Sequence, residues 1–218
     1  GLIEWLSTCG FKKEWSNAAR NGAVTLSSSD WMTDLDFVLG HHGCLSSSHS
    51  KKDSWFSLEL PLGLWILPHH YSIRHGFSSG ANALRDWELQ GSADGVHWVC
   101  LRAHTNDHTL NDRFAVGTWG VGYGDDTKAA NSQALKQPPD ATCVHRFVRV
   151  LMTGVNSSKG RELRCSGFEI YGQVYVDNPV ATISSPLWYL RKWALEALLS
   201  SLLQQRQLME GGTGAGFH

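Results

Sequence analysis

Short stretches of this chain alternate apolar and polar residues with a period of two, and that alternation constrains the fold more than any other feature. Between Trp55 and Leu60, the side chains of Phe56, Leu58 and Leu60 fall on one face. Tyr71 and Ile73 share a face, opposite Ser72 and Arg74. Trp87 and Leu89 alternate with Asp86, Glu88 and Gln90, and the pattern resumes from Trp98 to Ala103. A two-residue period is that of an extended strand with one buried face. Phe147–Met152 and Gly167–Val174 read as two more strands, the second with Phe168 and Ile170 inward and Glu169 and Tyr171 outward. Ser92-Ala93-Asp94-Gly95 separates two of the strands, and Asp-Gly tolerates the positive φ of a tight hairpin. Residues 84–91 and 97–104 are therefore expected to pair as a hairpin. Many turns and no interleaved helices indicate an all-β, antiparallel β-sandwich.

Three segments depart from this pattern. Residues 120–142 carry Gly120, Gly122, Gly124, Asp125-Asp126 and Pro138-Pro139, and read as a long loop or insertion. Residues 40–54 are polar and rich in Ser and His. Near the C-terminus, Ser185-Pro186 is a helix start and Gly211-Gly212 a stop, which predicts an amphipathic α-helix over about 186–210. Leu195, Leu198, Leu199 and Leu202 lie on its apolar stripe, and with Trp188 they are its candidate partner-binding residues. Such a stripe must cover the sandwich, pair with another helix or bind a partner. The expected organisation is a sandwich over residues 1–175, then a linker, the helix and a Gly-rich tail over 176–218.

Composition narrows the function classes. Hydrophobic residues make up 42% and charged residues 18%, which excludes disorder throughout. The 19 basic and 20 acidic side chains nearly cancel, so no electrostatic footprint for nucleic acid is present. No basic run suits a membrane surface, and no apolar stretch reaches a membrane span. The five cysteines are an odd set without a CxxC pair. They fit reduced thiols in a fragment of a larger intracellular protein, cytoplasmic or nuclear. The sequon Asn156-Ser157-Ser158 is weak evidence the other way.

The order Tyr71-Ser72-Ile73-Arg74-His75, then Leu84-Arg85-Asp86-Trp87-Glu88-Leu89-Gln90-Gly91-Ser92, then Asp94-Gly95-Val96-His97-Trp98, resembles the core of discoidin-like, galactose-binding-like jelly-roll domains. Ser166 to Gly172 is similar to their last strand. The opening Gly1-Leu2-Ile3-Glu4-Trp5-Leu6 with Glu14-Trp15-Ser16-Asn17 is similar to the module inside a very large HECT-type ubiquitin ligase. Related modules occur in BTB-domain proteins and in a substrate-recruiting subunit of the anaphase-promoting complex. The resemblance covers roughly residues 1–175. It implies a jelly roll whose ligand site lies among loops at one end. Secreted members usually tie their termini with cysteines, and nothing after Gly172 plays that part here, which leaves the intracellular recognition role.

Candidate site residues follow from the strand ends. Arg74 and His75 end one strand and Arg85 begins the next, so the three are expected to converge on an acidic or hydroxyl-rich ligand. The competing reading pairs both arginines with nearby carboxylates. Trp31, beside Asp30, Asp34 and Asp36, is either an exposed stacking platform or a core anchor. His41, His42, Cys44 and His49 form the most metal-like cluster, but their spacing fits no common zinc site and a solvated loop is the expected outcome. No GxSxG motif, activated nucleophile or phosphate-cradling loop is found. The chain therefore reads as non-catalytic and cofactor-free. It is expected to bind a protein segment or small polar ligand within a larger protein of the ubiquitin-ligase type. The rival readings are a carbohydrate-binding module and an assembly domain acting through the terminal helix.

Overall fold

The computed structural model describes residues 1–122, 143–176, 200, 202–204 and 206. Among the described residues, eight strands form two antiparallel sheets packed face to face. They are β1 (Thr25–Ser28), β2 (Trp55–Glu59), β3 (Leu64–Arg74), β4 (Trp87–Ser92), β5 (Val99–His104), β6 (Val116–Gly120), β7 (Phe147–Met152) and β8 (Gly167–Val176). One sheet runs β1-β2-β7-β4-β5 and the other β6-β3-β8. The expected antiparallel sandwich is present.

The inward rows are those the alternation marks. Phe56, Leu58 and Leu60 are buried, as are Tyr71 and Ile73 from the facing sheet, Trp87 and Leu89 from β4, and Phe168 and Ile170 from β8. The hairpin is also as read, with Trp87 opposite His104 and Gly91 opposite Val99. Its turn is held by Asp94, whose Oδ1 accepts the backbone N–H of Val96 and His97 at 2.8 Å each, and by Gly95 at φ 77°.

Several elements left too weak a signal to be expected. The helix α1 (Leu2–Ser7) spans six residues, too few to show a helical period, and it buries Leu2, Ile3 and Leu6. A short 3-10 turn occupies Leu35–Leu39. The strands β1 and β6 lie at sheet edges, where one-sided apolar patterning fades. In β3 the pairing reaches back to Leu64, past Pro68, where the register with β8 shifts between Pro68 and His70. A bulge is where a sheet tolerates a proline that cannot donate.

The polar segment 40–54 corrects the expectation of a solvated loop. Ser46, Ser47 and Ser48 are buried. Ser46 N–H donates to Gly76 O at 3.0 Å, and Ser48 Oγ accepts the Leu163 N–H at 2.9 Å. From residue 123 the predicted insertion lies outside the described residues, as do Trp188, Leu195, Leu198 and Leu199 of the predicted helix. Residues 202–204 and 206 are helical, and Leu202 is buried within the core cluster. No helix among the described residues is long and apolar enough to cross a membrane.

Candidate recognition site

The outward row of the three-stranded sheet is polar, and α1 with its flanking loops stands over it. Register places Thr118, Ser72 and Glu169 side by side across β6, β3 and β8, with Val116, Arg74 and Gly167 in the next row. Gly1, Ile3 and Glu4, then Trp15, then Leu39, Gly40 and His41 form the surrounding wall. The recess is open to solvent on one side and measures about 430 Å3, within the range of small-ligand sites. An apolar recess of about 400 Å3, walled by Leu2, Trp5, Tyr171 and Val174, adjoins it.

Two of its charged side chains hold the walls in place. Glu169 caps α1: its carboxylate accepts the N–H of Ile3 at 2.7 Å and of Glu4 at 3.0 Å. Orphan N–H groups at a helix start favour a negative acceptor. Arg74 donates through Nη1 to His41 O at 3.0 Å, and through Nη2 to Ser166 O at 3.0 Å and to Gly40 O. Its fork thus clamps the 40–41 loop to the start of β8. On the floor, Ser72 Oγ and Thr118 Oγ1 bond each other at 2.7 Å. Trp15 meets His41 edge-on with ring centroids 5.0 Å apart, and His41 Nδ1 lies 3.9 Å from the Glu4 carboxylate.

Of the candidate ligand-binding residues, Arg74 lines the recess, and His75, Arg85 and Trp31 do not. His75 is buried, its Nε2 3.1 Å from Ala81 O, and burial pushes its imidazole below the ordinary range. Arg85 is also buried and donates to Leu84 O at 3.2 Å, to Asp107 O at 3.1 Å and to Asn111 Oδ1. Both arginines therefore bond carbonyl oxygens, not the carboxylates of the competing reading. Trp31 packs edge-on against Phe56 at 5.9 Å and donates to Ser46 Oγ at 3.2 Å, as a core anchor does.

Other candidate groups serve local structure. Asp36 and Asp34 pair with Arg20, and Asp30 lies 3.5 Å from Lys51. His41, His42 and His49 are exposed and Cys44 is half-buried; among the described residues no three His, Cys, Asp or Glu side chains gather as a metal site. Asn156 is buried, with its Nδ2 donating to Glu162 O at 3.3 Å and its Oδ1 accepting Gly160 N–H at 2.9 Å. None of the five cysteines forms a disulfide. Burial pushes the Cys165 thiol up to about 12 and raises those of Cys44 and Cys100. Asp107, His104 and Tyr71 form an acid–imidazole–hydroxyl chain, but the Tyr71 ring is fully buried and out of reach of a substrate.

Sequence reasoning missed Glu4, Trp15 and His41 as recess residues. The recess is a tertiary product of α1 lying over the sheet, and only the outward placement of Glu169 and Tyr171 was available to signal it.

No family model matches the chain. It is 31% identical over 204 residues to the E3 ubiquitin-protein ligase hecd-1 of Caenorhabditis elegans, covering 85% of this chain and 7% of that protein. It is 32% identical over 181 residues to the E3 ubiquitin-protein ligase Ufd4 of Drosophila melanogaster, covering 80% of this chain and 6% of that protein. The chain thus spans a small fraction of these relatives' length. Among solved structures, a family 32 carbohydrate-binding module of Clostridium perfringens, in complex with GalNAc-β-1,3-galactose, overlays with a TM-score of 0.50 at 10% identity, covering 70% of this chain and 97% of that one. Another family 32 module, from a family 31 glycoside hydrolase of the same organism, gives 0.51 at 8% identity, covering 70% and 93%. These likenesses show the fold: a discoidin-like, galactose-binding-like sandwich.

Proposed function

We propose that this chain is the recognition module of a larger polypeptide acting in ubiquitin transfer, and that it binds a segment of a protein partner in the recess over the β6-β3-β8 sheet. The observation that carries this reading is the similarity of 80–85% of the chain to a 6–7% portion of two E3 ligases. A slice of that size, on a fold shared with carbohydrate-binding modules, suits an accessory binding domain better than a catalytic one. Chemistry supports the same division of labour. A thiol that forms a thioester needs a lowered pKa, and Cys44, Cys100 and Cys165 are all shifted upward. Five cysteines without a disulfide also suit a reducing compartment.

Within this reading Arg74 shapes the site by clamping its wall, and His75 and Arg85 stiffen the loops behind it. The test is affinity capture from cell lysate on the intact chain beside a Trp15→Ala variant of unchanged thermal stability. Proteins retained by the first and lost by the second support the recess. Identical capture profiles would remove it from consideration. Loss of a glycan instead of a protein would move the chain to the carbohydrate-binding class.

A further inference from the structure

The recess has a definite chemical bias once its occupied groups are set aside. The Glu169 carboxylate is taken by α1, the Arg74 fork by three carbonyl oxygens, and the Ser72 and Thr118 hydroxyls by each other. Among the described residues, what remains is the Glu4 carboxylate, 3.9 Å from His41 Nδ1, and the rings of Trp15 and the exposed Tyr171. A free carboxylate beside aromatic faces attracts a cation carried on an apolar stem, through charge and through the ring quadrupole. An anion would find both terminal nitrogens of Arg74 already bonded to carbonyl oxygens. A sugar would bury more hydroxyls than the remaining polar groups can partner.

Resting on the recess reading above, we propose that this site receives a lysine or arginine side chain from a partner's peptide, with its cationic head on Glu4 and its stem against Trp15 and Tyr171. Among the described residues the Glu4 side chain bonds no backbone group, so Glu4→Gln leaves α1 and its Glu169 cap intact.

The experiment is an NMR titration of the intact chain, following the Trp15 indole N–H signal assigned through Trp15→Phe. The probes are capped Gly-Lys-Gly, Gly-Arg-Gly and Gly-norleucine-Gly peptides, and galactose. The lysine and arginine peptides should shift the signal at concentrations at least tenfold lower than the norleucine peptide. Glu4→Gln should abolish that preference while the melting temperature stays unchanged, and high salt should weaken the cationic probes alone. Equal response to the norleucine peptide, or a preference that survives Glu4→Gln, overturns the proposal. If galactose alone moves the indole signal, the cation is wrong and the recess stands as a recognition site. If every probe is silent and Trp15→Ala captures normally, both fall.

Discussion

Tyr71 Oη lies 2.6 Å from His104 Nε2 in the centre of the sandwich. Trp87 Nε1 donates to the same hydroxyl at 3.0 Å. An indole N–H can only donate, so Tyr71 must give its own proton to His104. That fixes the histidine tautomer: Nε2 accepts, and Nδ1 donates to Asp107 Oδ2 at 2.9 Å. Trp119 Nε1 donates to the same carboxylate oxygen at 3.1 Å. The chain of bonds thus joins β3, β4, β5 and β6 through groups that are each satisfied. Tyr71→Phe keeps the ring but strands the Trp87 N–H and His104 Nε2 in a dry core. It should cost about 1–3 kcal/mol in urea unfolding. A loss below about 0.5 kcal/mol would mean that the network is not needed for the packing around it.

Acid should weaken the fold early, and the sign follows from burial. Burial holds the imidazoles of His75 and His104 below their ordinary range and His145 down to about 4. Histidine in an unfolded chain titrates near 6.5. Below that pH the unfolded state takes up protons that the folded state refuses. Stability is therefore full above about pH 6.5 and falls as the pH drops towards 4, by about 1.4 kcal/mol per pH unit for His145, with His75 and His104 acting in the same direction. His145→Gln removes one of these protons. Chemical denaturation between pH 7 and 4.5 should show a slope shallower by about one proton in the variant, and an unchanged slope would contradict the assignment to His145.

Glu169 is expected to act as a helix cap. Glu169→Ala leaves the N–H groups of Ile3 and Glu4 without their acceptor. Amide hydrogen exchange at these two positions should speed up, and overall stability should drop by about 1–2 kcal/mol. Glu169→Gln retains one acceptor oxygen and should fall between the two. Unaltered exchange at Ile3 would show that α1 is held by the packing of Leu2, Ile3 and Leu6 alone.

The sequon at Asn156 should stay bare even in a secretory host. Its amide is buried, and it holds the 156–162 turn through bonds at both ends. A glycan at Nδ2 would require that turn to open. A mass shift on Asn156 after secretion would mean that the turn opens before folding completes.

The alternation of Phe56, Leu58 and Leu60, of Tyr71 and Ile73, and of Phe168 and Ile170 made the sandwich legible, because burial on one face leaves a record in residue type. Asp94-Gly95 did the same for the hairpin. The recess was not legible. Glu4, Trp15 and Tyr171 are far apart in the chain, and no local pattern says that α1 lies over β8. Polarity misled in both directions. Arg74 and Arg85 read as open donors, yet Arg74 donates to backbone carbonyls and Arg85 to backbone carbonyls and the Asn111 amide oxygen. Ser46 to Ser48 read as a solvated loop, yet their hydroxyls and amides bond into the packed segment beneath. A polar residue type records a need for partners and not whether those partners are water, protein or ligand.

Arg74 tests that distinction directly. Its two terminal nitrogens reach the carbonyls of Gly40, His41 and Ser166, three groups from two chain segments distant in sequence. A planar fork can serve all three at once, whereas an ammonium is a single point of charge. Arg74→Ala should therefore destabilise the chain by about 2–3 kcal/mol, since bonds to a charged donor are lost and three carbonyls go unserved. Arg74→Lys should recover only part of this, because lysine bridges fewer of the carbonyls. A residue kept for ligand contact behaves in the opposite way: its removal leaves the melting temperature alone and abolishes binding. If Arg74→Ala melts with the parent chain, the guanidinium is not the clamp between the 40–41 loop and β8. It would then be free to face whatever enters the recess.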